Sequence, residues 1–389
     1  MAVPPVPNVS RPLGRSSVIE ISGAGPAGLA AALAVTANGG QARVYEKRSE
    51  VGARFHDDFQ GLENWTRDED VLDELAAHGI ALDFEHIPFY ELTCFDPQGR
   101  SKTFRAPRPL FYLVRRGTRA GSLDHALMHQ VAAAGVDLRL NEPRHQLPDG
   151  GIVTEGPRRA DDIASGLVFT TDMADGAYAA ASDDLAPKGY AYLLICGGRG
   201  TLATCLFTDF HRERVYRERS VAFFTTHVGL RMHDIRHFGG IGNFFLPPVA
   251  RKGAMLYAGE AAGLQDPLFG FGMRWAIGSG THAGRALISG DLDGYERFWN
   301  EQCVAFHETA VTNRWFFERL GNRGYRSLLG HLDTTVDPRA WLQRCYRPQN
   351  WKRLWYRWVG HRRFPALTLP RSNCDCTWCR CNGQLGIAV

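Results

Sequence analysis

The chain has no run of about eighteen apolar residues, so no segment reads as a helix that crosses a bilayer. It has no repeat at a fixed period, which excludes a solenoid or a propeller. The opening stretch, MAVPPVPNVSRPLGRS, lacks an apolar h-region and does not read as a secretory signal. Cysteine is sparse, nine in 389 residues, and four of the nine fall between Cys374 and Cys381. Without an export signal, that usage predicts reduced thiols in a cytoplasm. Hydrophobic residues make up 44% and charged residues 22%, which excludes a mainly disordered, collagenous or coiled-coil chain. A length of 389 favours two or more packed units, because one core rarely grows past about 250–300 residues.

The net charge of +4 is unevenly placed. Between Arg339 and Arg380 ten Lys or Arg face a single acid, Asp375, so this stretch carries about +9 and the rest about −5. Five of the nine tryptophans lie there as well: Trp341, Trp351, Trp355, Trp358 and Trp378. The C-terminal end is physically unlike the body.

An apolar run at Val18–Ile21 predicts a buried strand, followed by a Gly-rich turn, an Ala/Leu helix to about Asn38 and a strand over Ala42–Glu46. A further helix is expected over Leu123–Ala134 and a strand over Gly135–Leu140. From about Asp162 to Pro248 the segments alternate and are rich in aromatics, as in Tyr190–Cys196, Val221–Val228 and Asn243–Leu246, which predicts an antiparallel sheet. A strand at Ala254–Ala258, a Gly-rich loop and a helix to about Leu287 follow, then helices from Tyr295 to about Leu332. The expected fold is α/β. A Rossmann-like nucleotide domain over 16–160 and 249–290 is interrupted by an antiparallel-sheet substrate domain over 161–248. A flexible N-terminal segment (1–15), a helical, basic C-terminal region (291–370) and a Cys-rich tail (371–389) complete it.

Gly23-Ala24-Gly25-Pro26-Ala27-Gly28 is a G-x-G-x-x-G turn between a strand and a helix, with Glu46 at the end of the next strand, eighteen residues after Gly28. That context is specific for a dinucleotide. Gly23 permits the tight turn, Gly25 lets backbone approach a pyrophosphate, and Gly28 lets helix pack on strand. The helix N-terminus at Pro26 and Ala27 offers N–H groups to the phosphates, Glu46 an acceptor to a ribose, and Lys47 follows as a neighbouring cation. A second Gly-rich segment, Tyr257–Met273, contains Gly259-Glu260 and then Pro267, Gly270 and Gly272 before a helix. An acid after a strand can hold a ribityl or ribose hydroxyl, and the amides opening the helix can face an isoalloxazine carbonyl. FAD, long enough to cross the domain, needs such a second site; NAD does not.

With these residues in view, the sequence resembles the superfamily of FAD-dependent monooxygenases, halogenases and geranylgeranyl reductases, and within it the geranylgeranyl-reductase-like flavoproteins. The likeness covers nearly all of 16–330. It takes in Val51–His56, Arg115 or Arg116 before the Leu123-Asp124 helix, Gly156-Pro157, His237–Gly240 and Gly259–Gly263. The resemblance implies FAD at Gly23, Gly25, Gly28, Glu46, Arg115 and Glu260, with Arg54 nearby and the flavin edge near Pro267–Met273. Three features depart from the pattern. Glu260 stands where Asp is usual, Gly242–Pro247 lacks the Tyr and Trp of a Tyr-x-Trp-x-Phe-Pro strand, and the halogenase Trp-x-Trp-x-Ile-Pro segment is missing. No second G-x-G-x-x-G unit exists for a resident nicotinamide, so reducing equivalents come from transient NAD(P)H or another carrier.

The loop Arg54–Gln60 is polar, and in the resembling family this position approaches the flavin. His56 beside Asp57 there can donate a proton to a substrate carbon, or the loop is solvated scaffold held by ion pairs. Trp65 either stacks on substrate or is core, and Phe223, Phe224, Phe244 and Phe245 either wall an apolar channel or are ordinary core. His227, His233 and His237, spaced six and four apart, read as structural rather than as a metal set.

In the tail, Trp351, Leu354, Trp355, Trp358 and Val359 fall on one helical face, with Lys352, Arg353 and Arg357 elsewhere and Arg362 and Arg363 beyond. A stripe of this kind usually packs on the body; the other reading of 351–363 is an interfacial helix in peripheral contact with a membrane. No nucleic-acid motif is present. Cys374, Cys376, Cys379 and Cys381 form C-x-C-x-x-C-x-C, which can wrap one zinc, hold an iron–sulfur cluster or act as a dithiol relay. The sequence therefore predicts a cytoplasmic, potentially membrane-associated, FAD-dependent oxidoreductase. Its substrate would be small, apolar or lipid-like, and its reaction reduction of a carbon–carbon double bond. A monooxygenase, or an electron-transfer protein using the Cys tail, is the alternative; the oligomeric state is not encoded in any motif.

Overall fold

The computed structural model describes residues 18–157, 160–244 and 250–363, the last three of these as backbone only. The N-terminal segment 1–15, Phe245 and the four tail cysteines lie outside the described residues.

The apolar runs read from the sequence assemble into a six-stranded sheet. Its order is Arg251–Lys252, Met255–Tyr257, Gly151–Val153, Val18–Ser22, Gln41–Tyr45 and Asp137–Arg139, all parallel except for the first strand. Ile21 lies opposite both Val44 and Ile152, each fully buried, as expected of a sheet covered on both faces. The helix Pro26–Ala37 leaves the first strand through the glycine turn and packs against the helix Met273–Ser289. This packing brings the backbones together: a Cβ at Gly280 would sit 2.0 Å from the Ala27 carbonyl oxygen, and one at Gly284 2.5 Å from that of Ala31. The two glycines thus hold side by side the two helices that open from the Gly-rich segments.

A seven-stranded sheet runs from Ser101–Arg105 through Glu91–Phe95, Gly176–Ala180, Tyr190–Cys196, Arg199–Leu206 and Asp162–Thr170 to His233–Gly242. Its neighbours are antiparallel except Gly176–Ala180 with Glu91–Phe95, which run parallel. The sheet thus draws two strands from chain that precedes residue 161. A small sheet of Phe59–Glu63, Phe111–Arg115 and His86–Phe89 brackets Glu91–Phe95 and Ser101–Arg105 in sequence.

One expected strand is a helix. Val221–Val228 forms the end of the helix Glu213–Val228, closed by Gly229 in the left-handed region at φ 72°. The reason lies in the preceding turn, where Glu213 and Arg217, one helical turn apart, pair at 3.0 Å and both bond the buried Ser165 hydroxyl. Phe224 consequently packs into the outer core against Phe95, and His227 against Phe95 and Phe223, so His227 is structural as read.

Helices at Leu292–Phe298, Ala305–Phe317, Gly321–His331, Pro338–Tyr346 and Asn350–Arg363 cover the body. Arg314, fully buried, donates from Nη1 to the Leu268 carbonyl at 2.9 Å and stacks on Phe207 at 3.8 Å, pinning the second Gly-rich loop to this layer.

Candidate active site

A cavity of about 1040 Å³ lies between the two sheets and the C-terminal helices. Ligand pockets commonly span about 300–1,000 Å³, so this one is at the upper end of that range and large enough for a dinucleotide. Part of its wall is the glycine turn, Gly23–Ala27, with Glu46, Lys47 and Arg48. Gly23 has φ 102°, and a Cβ on it would meet the Thr154 carbonyl at 2.9 Å. A Cβ on Gly28 would sit 1.9 Å from the Gly23 oxygen, so Gly28 serves packing and stays out of the cavity wall. Gly25 differs: a Cβ there meets nothing within 4 Å and would occupy the cavity edge. No side chain caps the helix that starts at Pro26, which leaves its first N–H groups available to an anion.

Glu46 is already ordered. Its carboxylate accepts from the Ala24 N–H and the Arg48 N–H, each at 3.0 Å, with lone pairs remaining for a ligand hydroxyl. Lys47 is exposed on the cavity wall, and desolvation and then Arg48 lower its pKa.

Arg54 and Glu260, both expected at the cofactor, meet across the cavity wall as an ion pair at 2.8 Å. Arg54 also donates to the Ile241 carbonyl. The other carboxylate oxygen of Glu260, Oε1, is buried with no hydrogen-bond partner. Such an atom is costly unless a ligand hydroxyl completes it. Gly270, Gly272 and Met273 line the same cavity, and no side chain caps the helix opening at Met273. Gly259 and Pro267 do not line it. Gly259, at φ 60°, abuts the Ala27 side chain, where a Cβ would come within 2.6 Å. Pro267 is buried beside Asp266, which accepts from the Leu268 and Phe269 N–H groups at 3.0 and 2.9 Å and so shapes the loop.

Two expected site residues are placed otherwise. Arg115 is turned out of the cavity, bonded to Glu85 at 2.8 Å and to the Ala120 carbonyl at 2.5 Å, while its neighbour Arg116 lines the wall. Successive residues of a strand end point to opposite faces, so only one of the two can serve the cavity. Arg116 is held there by a bidentate bond to Asp124, 2.8 Å for each arm, and stacks on Phe55 at 3.9 Å. Asp57 also points away. With φ 65°, it pairs with Arg119 at 2.9 Å and lies 3.9 Å from Arg115 and from Arg236. His56 remains on the cavity wall, exposed, its N–H fixed by Asp58 at 3.0 Å.

The structure adds residues the sequence did not single out. Asp162 lines the cavity with Oδ1 buried and unpartnered, and burial, together with Asp161 and Glu260, pushes its carboxyl up to about 7. Near neutral pH it can hold a proton and give it up. Much of the remaining wall is apolar, with Leu92, Phe104, Tyr178 and Leu194 from the large sheet and Phe317, Leu328 and Trp341 from the C-terminal helices. Phe223, Phe224 and Phe244 are not among the lining residues, because the first two sit on the outer helix and Phe244 stacks on Phe207. Trp65, 4% exposed and edge-on to Phe271 at 4.7 Å, is core that reaches the wall. Burial pushes the wall thiols Cys94 and Cys205 up to about 12, which keeps them unreactive. Among the described residues no three His, Cys, Asp or Glu are grouped to hold a metal, and no helix is long and apolar enough to cross a membrane.

No family profile and no curated protein sequence matches the chain. Solved structures do. A geranylgeranyl bacteriochlorophyll reductase-like protein from Thermoplasma acidophilum superimposes with a TM-score of 0.67 at 18% identity, over 88% of this chain and 98% of that one. This chain has the fold of the FAD-dependent oxidoreductases. The same flavoprotein fold is seen in a flavoprotein/dehydrogenase from Cytophaga hutchinsonii, with a TM-score of 0.60 and 16% identity over 85% and 92% of the two chains. PqsL, a probable FAD-dependent monooxygenase from Pseudomonas aeruginosa, gives 0.56 and 14% over 81% and 100%. The flavoprotein fold accounts for the discontinuous use of the chain, in which Gly23–Ala27 and Gly270–Met273 meet at one cavity.

Proposed function

We propose that the chain is an FAD-dependent oxidoreductase that reduces a carbon–carbon double bond of an apolar, lipid-like substrate, with NAD(P)H or another reductant as transient donor. The observation that carries this reading is the single cavity whose wall joins the glycine turn to Leu, Phe, Tyr and Trp side chains from two other layers. FAD suits the residues present: the open edge at Gly25 and the two uncapped helix starts fit phosphate and carbonyl oxygens, and Glu260 Oε1, buried with no hydrogen-bond partner, fits a hydroxyl donor. The Gly25–Ala27 backbone and Lys47 would hold its phosphates, Glu46 a ribose hydroxyl, Glu260 a hydroxyl or ring edge, and the helix at Met273 the ring. When bound and reduced by that donor, FAD would supply the hydride. The chain supplies the rest. The apolar wall orients an alkene and excludes water, and His56 or Asp162 holds the proton that must reach the second carbon.

The test is anaerobic reduction of the FAD-loaded protein by NADPH or NADH, followed by mixing with an isoprenoid alkene or with oxygen. Saturated product with sluggish oxygen consumption supports the proposal. Rapid oxygen consumption with hydroxylated product replaces it by the monooxygenase reading, which the likeness to PqsL favours. His56→Ala is expected to keep its flavin and its reduction by donor while turnover falls by roughly 10²–10⁴-fold. Unchanged turnover would pass the proton to Asp162.

A further inference from the structure

The helix Asn350–Arg363 splits its stripe: Val359 is buried and Trp355 half-buried, as a packed stripe would be, but Trp351, Leu354 and Trp358 face outward. Trp351 is 50% exposed, Leu354 68% and Trp358 53%, while Lys352 and Val359 are buried at 4% and 3%. Lys352 donates to the Cys345 carbonyl, and burial lowers its pKa, so the cation that belongs to the polar face of the sequence pattern is spent inside. Phe316, 42% exposed on the neighbouring helix Ala305–Phe317, extends the face, with its ring 6.1 Å from Trp351 and 5.7 Å from Trp355. Few monomers leave two tryptophans, a leucine and a phenylalanine grouped in water without a use.

Charge decides which occupant fits. From Pro338 to Arg363 there is no acidic residue. Arg353 and Arg357 are exposed along one edge of the apolar group, at the positions a lipid-lying helix gives to basic residues. The neighbouring acid, Glu308, is paired with Arg353 at 2.9 Å. Phe317, which follows Phe316 on its helix, lines the cavity wall, as do Leu328 and Val336, which are 37% and 38% exposed. A protein partner needs shape complementarity that four protruding apolar tips do not define; a bilayer surface needs apolar tips flanked by cations.

We propose that the face of Trp351, Leu354, Trp358 and Phe316 docks on an anionic lipid bilayer, its aromatic tips at headgroup depth and Arg357 at the lipid phosphates. The position of the cavity makes this a route for a lipid-borne substrate, which rests on the function proposed above; the docking itself does not.

The full-length protein is expected to co-sediment with phosphatidylglycerol vesicles, with a blue shift of tryptophan fluorescence. Binding should fall at raised salt and be weak on phosphatidylcholine. The triple change Trp351→Ser, Leu354→Ser, Trp358→Ser is expected to weaken binding at least tenfold, and Leu354→Ser alone, at the most exposed position, to weaken it measurably with an unaltered melting curve. Arg357→Gln should lessen the preference for the anionic lipid. Wild-type protein that stays in the supernatant with both lipids would overturn the proposal. So would undiminished binding by Leu354→Ser and the triple variant, or a dimer in lipid-free solution that the triple variant abolishes. None of these readouts needs flavin or turnover, so they stand apart from the catalytic test.

Discussion

Gly25→Ala is expected to yield a normally folded protein that no longer retains FAD. The added methyl meets no protein atom within 4 Å, so folding has nothing to resist it. It stands at the cavity edge beside the uncapped N-terminus of the helix from Pro26, where a pyrophosphate would have to approach backbone. Overpacking of this kind costs about 1–3 kcal/mol, so affinity should fall by roughly 10- to 100-fold. The flavin content of dialysed protein and an equilibrium titration with FAD measure the loss, and circular dichroism melting checks the fold. Gly28→Ala makes the contrast. Its Cβ would lie 1.9 Å from the Gly23 oxygen, so it should destabilise the turn itself and lower the melting temperature as well as flavin content. Full affinity in Gly25→Ala would place the cofactor elsewhere.

The largest stability effect is expected at Arg274. Its guanidinium is 3% exposed and donates from Nε to Glu74 at 2.7 Å, with Glu63 3.8 Å away, so two buried carboxylates depend on it. Arg274→Met keeps most of the volume and removes the charge, which should cost about 3–5 kcal/mol in chemical denaturation. The same cluster sets an acid limit. Burial on its own would raise the Glu74 carboxyl, but His78, Arg274 and Arg67 outweigh it and bring the group to about 2, from an ordinary 4.5. A carboxyl depressed in the folded state stabilises fully above its unfolded pKa and loses that contribution as pH falls toward the folded one. Stability of the wild type should therefore drop by about 3 kcal/mol from this group between roughly pH 5 and pH 2. Glu74→Gln should flatten that part of the profile. A wild-type profile flat over this range would remove the cluster from the account.

The glycine turn, Glu46 and the second Gly-rich loop were legible in the sequence because their roles rest on backbone geometry, which glycine spacing records directly. The facing of single side chains was not. Arg115 and Arg116 are indistinguishable by type, and only the register of the Phe111–Arg115 strand against Phe59–Glu63 decides which reaches the cavity. Asp57 reads as an acid beside His56, yet its positive φ swings it toward Arg119. The segment Val221–Val228 has the β-branched and aromatic content of a strand, and the signal for a helix was the charge spacing of Glu213, Arg217 and of Arg214, Glu218 just before it. Asp162 gave no signal, since its burial depends on strands far apart in the chain. The apolar wall from the C-terminal helices was equally hidden, because helix spacing shows which residues share a face but not what that face meets.

The central claim, that the cavity is an FAD site, is tested most directly by the absorbance of the purified full-length protein before and after denaturation. The account predicts a yellow protein from which unfolding releases FAD, about one per chain, without breaking a covalent bond. A colourless protein that also fails to take up added FAD would contradict it.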